Sequence, residues 1–197
     1  MKPKLILLGG GGHCVSCIDV VEQGNKFEIA GIVSNDIAGG MLLGYPVLGS
    51  DADLEVLRSS YDYALVTVGQ IKSPSIRIRL FEYARSLGYT LPTVISPRAY
   101  VSRLASMGEG TVIMHDALVN SCVTIGRNCI INSKSLVEHD AVIEDNCHIS
   151  TGAIINGGAI VRQGTFVGSN AVTREAVETN ENDFIKAGSL FMGYKND

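Results

Sequence analysis

The sequence predicts an α/β unit of βαβαβ order with a parallel sheet over residues 1–96, a parallel β-helix over residues 97–172, and a non-repeating tail over 173–197. Three observations predict this. An aliphatic residue recurs every sixth position from Val101, a run of four glycines follows the first apolar segment, and helix- and strand-like patterns give way to hexads after about residue 96.

The repeat is the strongest of the three. Stepping by six from Val101 the chain reads Val101, Met107, Ile113, Val119, Ile125 and Ile131, and continues through Val137, Ile143, Ile149, Ile155, Val161 and Val167. Four places after each comes a residue no larger than Val, among them Ala117, Cys129, Ala141, Cys147, Ala153 and Ala171. A period of six suits neither a continuous helix nor a long alternating strand, but it suits a coil of three flat sides. Residues eighteen apart then stack at the strand spacing of about 4.8 Å, giving ladders such as Val119, Val137 and Ile155. The large residues fill the prism, and the small ones relieve its corners. Cys129 and Cys147, eighteen apart in the small column, are expected to pack inside.

In the first half, Lys4–Leu8 reads as a strand, and Gly9–Gly12 as a turn into a helix reaching Gly24. Glu28–Val33 and Tyr63–Val68 read as further strands, Asp51–Arg58 and Ser75–Ser86 as helices. The glycine run lacks the third glycine of a dinucleotide fingerprint and the Lys-Ser/Thr of a P-loop. It still offers close backbone approach and a helix N-terminus facing an anion, a basis for holding a pyrophosphate. Asn35 and Asp36 follow the second strand, where a polar side chain reaches a ribose or base. A plain tight turn beside a surface acid is the alternative.

Composition narrows the function. The chain has 197 residues, 46% of them hydrophobic, and a formal net charge of -4, so it buries a real core and has no cationic surplus for nucleic acid or an acidic membrane. The opening apolar run is too short for a signal-peptide core or a membrane span, and a cytoplasmic location is expected. Five cysteines, an odd number, argue against a disulfide framework.

Three of the four histidines, His115, His139 and His148, lie in the repeat. His139 occupies an outward position between Glu138 and Asp140. A carboxylate that accepts from one ring nitrogen leaves the other to act as a base near neutral pH, with Asp140 the first choice of orienting acid and Glu138 the second. Spacing alone does not separate this from a surface histidine. His148 reads equally as a surface or a backbone-contacting residue. A His/Cys metal site is disfavoured, because the repeat cysteines fall mainly in the interior column. Cys122 is the exception, and nothing beside it suggests an activated thiol.

The hexads, as in Ile125-Gly126-Arg127-Asn128-Cys129-Ile130, resemble the left-handed β-helix of hexapeptide-repeat acyltransferases, which implies a homotrimer with active sites in clefts between neighbouring prisms. Over nearly its whole length the chain resembles the sialic acid O-acetyltransferase and nucleotide-sugar N-acetyltransferase family of the bacillosamine and perosamine enzymes. The resemblance rests on Gly9-Gly10-Gly11-Gly12-His13, Gly44–Ser50, Val68-Gly69, Asn132–Asp140 and Cys147–Gly152. It implies an acetyl-CoA-dependent N-acetyltransferase acting by direct transfer on the amine of a nucleotide-linked 4-amino-6-deoxy sugar, with no metal. His139 is then the base and Asp140 its support. Asn132 lines the acceptor site, and His148, Gly157 and Ser169 contact the coenzyme. Gly11, Gly12, His13, Asp36 and Gly69 hold the nucleotide, joined by Asn35 on its position after the second strand, with Arg77 a weaker phosphate candidate. O-acetylation of a sialic acid or related nonulosonate is the runner-up. A non-enzymatic trimeric nucleotide-binding scaffold is the third reading.

Overall fold

The structure is a computed structural model that describes residues 1–36 and 39–194. Strand β1 (Lys4–Leu8) leads through the glycine loop into helix α1 (Gly12–Gly24), then β2 (Glu28–Val33), a two-residue edge strand β3 (Met41–Leu42) and β4 (Tyr45–Gly49). A 3₁₀ turn at Asp51–Asp53 and one α-helical turn, α2 (Leu54–Leu57), precede β5 (Tyr63–Val66) and α3 (Ser75–Ser86). The sheet order is β3-β4-β2-β1-β5, parallel except for the β3–β4 pair.

Two elements differ from the sequence reading. Tyr45–Gly49 is a strand, paired in parallel with β2 through Ile32 and Val47. Its Pro46 and flanking glycines mask the pattern, and the position is tolerated near the sheet edge, where few ladder bonds are demanded. The helix expected over 51–58 is broken into two short turns, with Asp53 Oδ2 accepting from the Ser50 amide at 2.8 Å and the Ser50 hydroxyl at 2.9 Å. These bonds form a capping box that closes the first turn.

Alternation along β1 builds two cores. Ile6 and Leu8 point to the face covered by Leu54, Leu80, Phe81 and Ala84 from α2 and α3. Leu5 and Leu7 point to the other face, where Cys14, Cys17, Ile18 and Val21 of α1 cover them. That second core also takes in Val94, Val112 and Met114 from the prism, so α1 is sandwiched between the sheet and the β-helix. The glycine loop at its N-terminus is thereby fixed against the second half of the chain.

The second half is a left-handed β-helix of two-residue parallel rungs. A first face runs from Val94–Ile95 to Phe184–Ile185, a second from Tyr100–Val101 to Leu190–Phe191, and a third from Ser106–Met107 to Ile160–Val161. The expected ladders form, Val119 to Val137 to Ile155 and Met107 to Ile125 to Ile143 to Val161. Large and small columns fill one continuous core that includes Cys129 and Cys147, both free thiols. The corner reversal itself is made by the residue just before the small one. Asp116, Cys122, Asn128, Lys134, Asp140 and Asn146 all have φ between 54° and 61°. Asn, Asp and Gly tolerate this left-handed conformation best, and they dominate the column.

The tail expected over 173–197 is instead wound onto the prism as far as it is described. Phe184–Ile185 pairs with Phe166–Val167, and Leu190–Phe191 with Val172–Thr173. The repeat was hidden because Thr173 and Thr179 stand where aliphatic residues are expected. Both are buried, and their hydroxyls accept from the backbone amides of Asn156 (3.0 Å) and Arg162 (2.9 Å), which makes a polar residue tolerable inside. The prism likewise begins with the Val94–Ile95 rung, ahead of residue 97.

Ile143 is fully buried in the prism core. Ile143→Ala is expected to lower unfolding free energy by about 2–5 kcal/mol in a denaturant titration, whereas Val142→Ala, on the outer side of the same rung, costs clearly less.

Candidate active site

His139 sits at the corner between the second and third faces and Asp140 makes the turn, with φ of 59°. The reversal brings the Asp140 carboxylate back onto its neighbour, so that His139 Nδ1–H donates to Oδ2 at 2.8 Å and Nε2 is left with a free lone pair. The bond to Asp140, followed by the negative charges of Asp140 and Glu138, raises the His139 pKa above its ordinary 6.5. Glu138 does not orient the ring. Its Oε2 accepts from Asn120 Nδ2 at 2.7 Å and from the His139 amide at 3.3 Å.

One coil further on, Gly157 lies against the Nε2–Cε1 edge of that ring. A Cβ there would stand 2.9 Å from both Cε1 and Nε2 of His139. A side chain at this position would push the exposed imidazole out of its present place. Gly157, expected at the coenzyme, has the His139 ring as its nearest neighbour.

A second group of expected residues converges elsewhere. Gly11, Gly12, His13, Asp36, Gly69, Asn132 and His148 line one cleft of about 480 Å³. Gly9, with φ of 112°, is packed so closely on Val68 that no side chain fits, and its carbonyl accepts from Thr67 Oγ1 at 2.8 Å. This bond ties the glycine loop to the end of β5. Gly11 and Gly12 have no atoms within 4 Å of where a Cβ would stand, so the mouth of helix α1 is open to a ligand's close approach.

The two histidines of the cleft are neutral. His148 Nδ1–H donates to the Gln70 carbonyl at 2.6 Å, and its Nε2 accepts from Asn132 Nδ2 at 3.0 Å. A carbonyl only accepts, which fixes the tautomer. Burial, with a contribution from the Arg77 charge, lowers the His148 pKa to about 4. His13 is pushed down to about 3 by burial, then by Arg77 and His148, and its Nε2 faces Cys17 Sγ at 3.4 Å. His13 is therefore a neutral wall of the cleft and not a cation for phosphate.

Three expected residues are elsewhere. Asn35 caps the Asp51 turn, accepting from the Asp51 amide at 3.0 Å and donating to its carboxylate at 2.8 Å, and lines a separate cleft with Arg79 and Tyr83. Arg77 is not a phosphate ligand: it is buried, with both terminal nitrogens bonded to protein oxygens. Ser169 lies on the Asn132 edge of the prism two coils on, its hydroxyl 3.0 Å from that of Ser150. Gln70, which ties His148 in place and donates to the Gly164 carbonyl at 3.1 Å, was missed. A glutamine after a strand-end glycine carries no signal until the fold places it beside a histidine 78 residues away.

His139 and the cleft are on different edges of one prism. Asn132 leaves the first face and His139 leaves the second, so the whole second face lies between them. That face presents Tyr100, Leu118, Leu136, Ile154, Val172 and Leu190 outward, with Tyr100 and Leu190 more than 60% exposed. Among the described residues no group of three His, Cys, Asp or Glu is placed to hold a metal ion, and no helix is long and apolar enough to cross a membrane.

The sequence model of the PglD N-terminal domain matches residues 4–84, and that of the bacterial transferase hexapeptide, six repeats, matches residues 105–139. A search of curated proteins gave no match. Among solved structures, the acetyltransferase domain of PglB from Neisseria gonorrhoeae, in complex with acetyl coenzyme A, is 28% identical with a TM-score of 0.90, over 98% of this chain and 92% of that one. A His-to-Asn variant of perosamine N-acetyltransferase from Caulobacter crescentus, in complex with CoA and GDP-perosamine, is 27% identical with a TM-score of 0.91, over 98% and 90%. WeeI from Acinetobacter baumannii, 18% identical with a TM-score of 0.52 over 96% of both chains, shares the fold. The first half of the chain thus matches the PglD N-terminal domain and the second the hexapeptide repeat of bacterial transferases, and over 98% of its length the chain is similar in structure to the PglB acetyltransferase domain and to perosamine N-acetyltransferase.

Proposed function

We propose that the protein transfers the acetyl group of acetyl-CoA to the amine of a nucleotide-linked 4-amino-6-deoxy sugar, in a homotrimer whose active sites lie between subunits. The observation that carries the reading is the His139–Asp140 pair, an oriented imidazole with a free Nε2, on a prism docked to an open glycine-loop cleft. The apolar second face supports the trimer. An uncovered aliphatic and aromatic stripe of this length is unusual on a monomer, and packing it against a neighbour carries His139 of one subunit toward the cleft of the next. The ligands of the two related structures, acetyl coenzyme A in one and GDP-perosamine in the other, support the substrate pair.

The chemistry asked of the chain is modest. Acetyl-CoA supplies the thioester carbonyl that the amine attacks. His139 Nε2 accepts the amine proton as the new C–N bond forms, Asp140 holds the Nδ1–H and stabilises the resulting imidazolium, and the C–S bond then breaks to release CoA thiolate, which takes a proton from the imidazolium or from solvent. The open first turn of α1 receives the pyrophosphate, with Asp36 beyond it for the ribose or base. Asn132, bonded to the fixed acceptor of His148, presents its remaining polar atoms at the cleft edge nearest the second face.

Release of CoA thiol, followed with UDP- and GDP-linked 4-amino-6-deoxy sugars, tests this. His139→Asn is expected to lower kcat by about 10²–10⁴-fold. In the wild type kcat/KM falls as pH drops through a value above 6.5, because a base with a raised pKa is protonated sooner. Asp140→Asn lowers that pKa, so the acid limb moves to lower pH while the plateau drops. A pH profile that Asp140→Asn leaves unmoved would contradict the pair. Gly157→Ala drives a methyl into the imidazole edge and is expected to cut kcat by about tenfold to a hundredfold with the melting temperature unchanged. Normal turnover in that variant would place the proton acceptor elsewhere.

A further inference from the structure

Arg77 is 1% exposed, at the meeting point of α3, the end of β5 and the prism corner at Asn128. Its Nη1 donates to the carbonyls of Val66 (3.0 Å) and Val68 (2.7 Å). Its Nη2 donates to the Asn128 carbonyl (3.2 Å) and side-chain Oδ1 (2.8 Å), and Nε has no partner. Every partner is a neutral oxygen. None of the ion pairs among the described residues includes it.

A guanidinium sealed from water without a counter-charge is costly, and packing alone does not require one. Burial lowers its pKa to about 10, so it keeps its charge at neutral pH. The charge is felt in the cleft, where it helps hold both His13 and His148 neutral. The cleft needs such a source. No Lys or Arg lines it, its two imidazoles are neutral, and its one carboxylate, Asp36, is exposed. Val68, whose carbonyl Arg77 grips, is part of the wall.

We propose that Arg77 is a positioning residue for a phosphate-bearing ligand: its unbalanced charge beneath the cleft wall at Val68 favours an anion that it does not touch, and its bonds to Asn128 hold that wall against the prism. The proposal rests on the nucleotide reading of the cleft. A field from a buried charge is weakly screened by salt and water, so it acts across a loop where a surface lysine would not.

Calorimetric titration of the full chain with UDP and GDP, and separately with uridine and guanosine, tests this. Arg77→Met is expected to weaken diphosphate binding by about tenfold or more while nucleoside binding changes little. Arg77→Lys keeps the charge and should keep the diphosphate preference. Asn128→Gly suits the left-handed corner, loosens the wall and leaves the charge, so it should weaken nucleoside and diphosphate alike. Equal losses for both ligand types in Arg77→Met, or none, would reduce Arg77 to an interdomain peg and overturn the proposal. Should Arg77→Met fail to fold by its melting curve, loss of the diphosphate preference in Arg77→Lys or in Asn128→Gly overturns it instead. A wild type that binds neither diphosphate removes the nucleotide reading itself, an outcome distinct from binding without the selective loss.

Discussion

The six-residue corner is the constraint on which the rest of the structure depends. One residue in six takes a left-handed conformation, the chain turns through a third of a circuit, and residues eighteen apart are forced into register. That register sets Gly157 over His139, Ser150 over Asn132 and Phe166 over His148. The same corner makes the His139–Asp140 pair to which we assign the proton transfer. Asp140 reaches the imidazole of the residue before it because its own backbone is turned back, and in an extended strand adjacent side chains would point to opposite faces. Fold and chemistry are here the same backbone decision.

The histidines divide by environment. His139 stands in solvent beside a carboxylate and is pushed toward the charged form, as the proposed role of proton acceptor asks. His13 and His148 are walled in near Arg77 and are held neutral. A neutral His148 with its Nδ1 proton committed to Gln70 offers a fixed lone pair to Asn132. The N-terminal domain thus reaches across to set the state of a prism residue. Docking of α1 on the first face is part of the site and more than a tether.

Much of this was legible in the sequence. The hexads gave the prism, its interior and the ladders, because each column has one physical job repeated twelve times. Gly11, Gly12, His13, Asp36 and Gly69 read as nucleotide contacts, Asn132 as an acceptor contact and His148 as a coenzyme contact, and the structure places all seven around one cleft. What stayed hidden depends on long-range contacts. Arg77 looks like a phosphate ligand beside a glycine loop, and only the fold shows its guanidinium turned into the domain junction. The extra coils were concealed by Thr173 and Thr179, whose hydroxyls find backbone amides inside the prism. A third column could have disclosed them, since the turn positions Asn170, Ala176, Asn182 and Gly188 carry on at intervals of six beyond Val172.

In the proposed trimer the base of one subunit serves the cleft of another across the apolar second face. The most direct measurement is subunit complementation. His139→Asn chains and His148→Ala chains, each nearly inactive alone, are mixed under conditions that exchange subunits, and acetyl transfer is assayed against the nucleotide-linked amino sugar. If the site is shared, random mixing leaves about a quarter of interfaces with both an intact His139 and an intact cleft, and activity returns to that fraction of wild type. If base and cleft act within one chain, no mixed trimer contains a complete site, and activity that stays at the level of the parents would contradict the account.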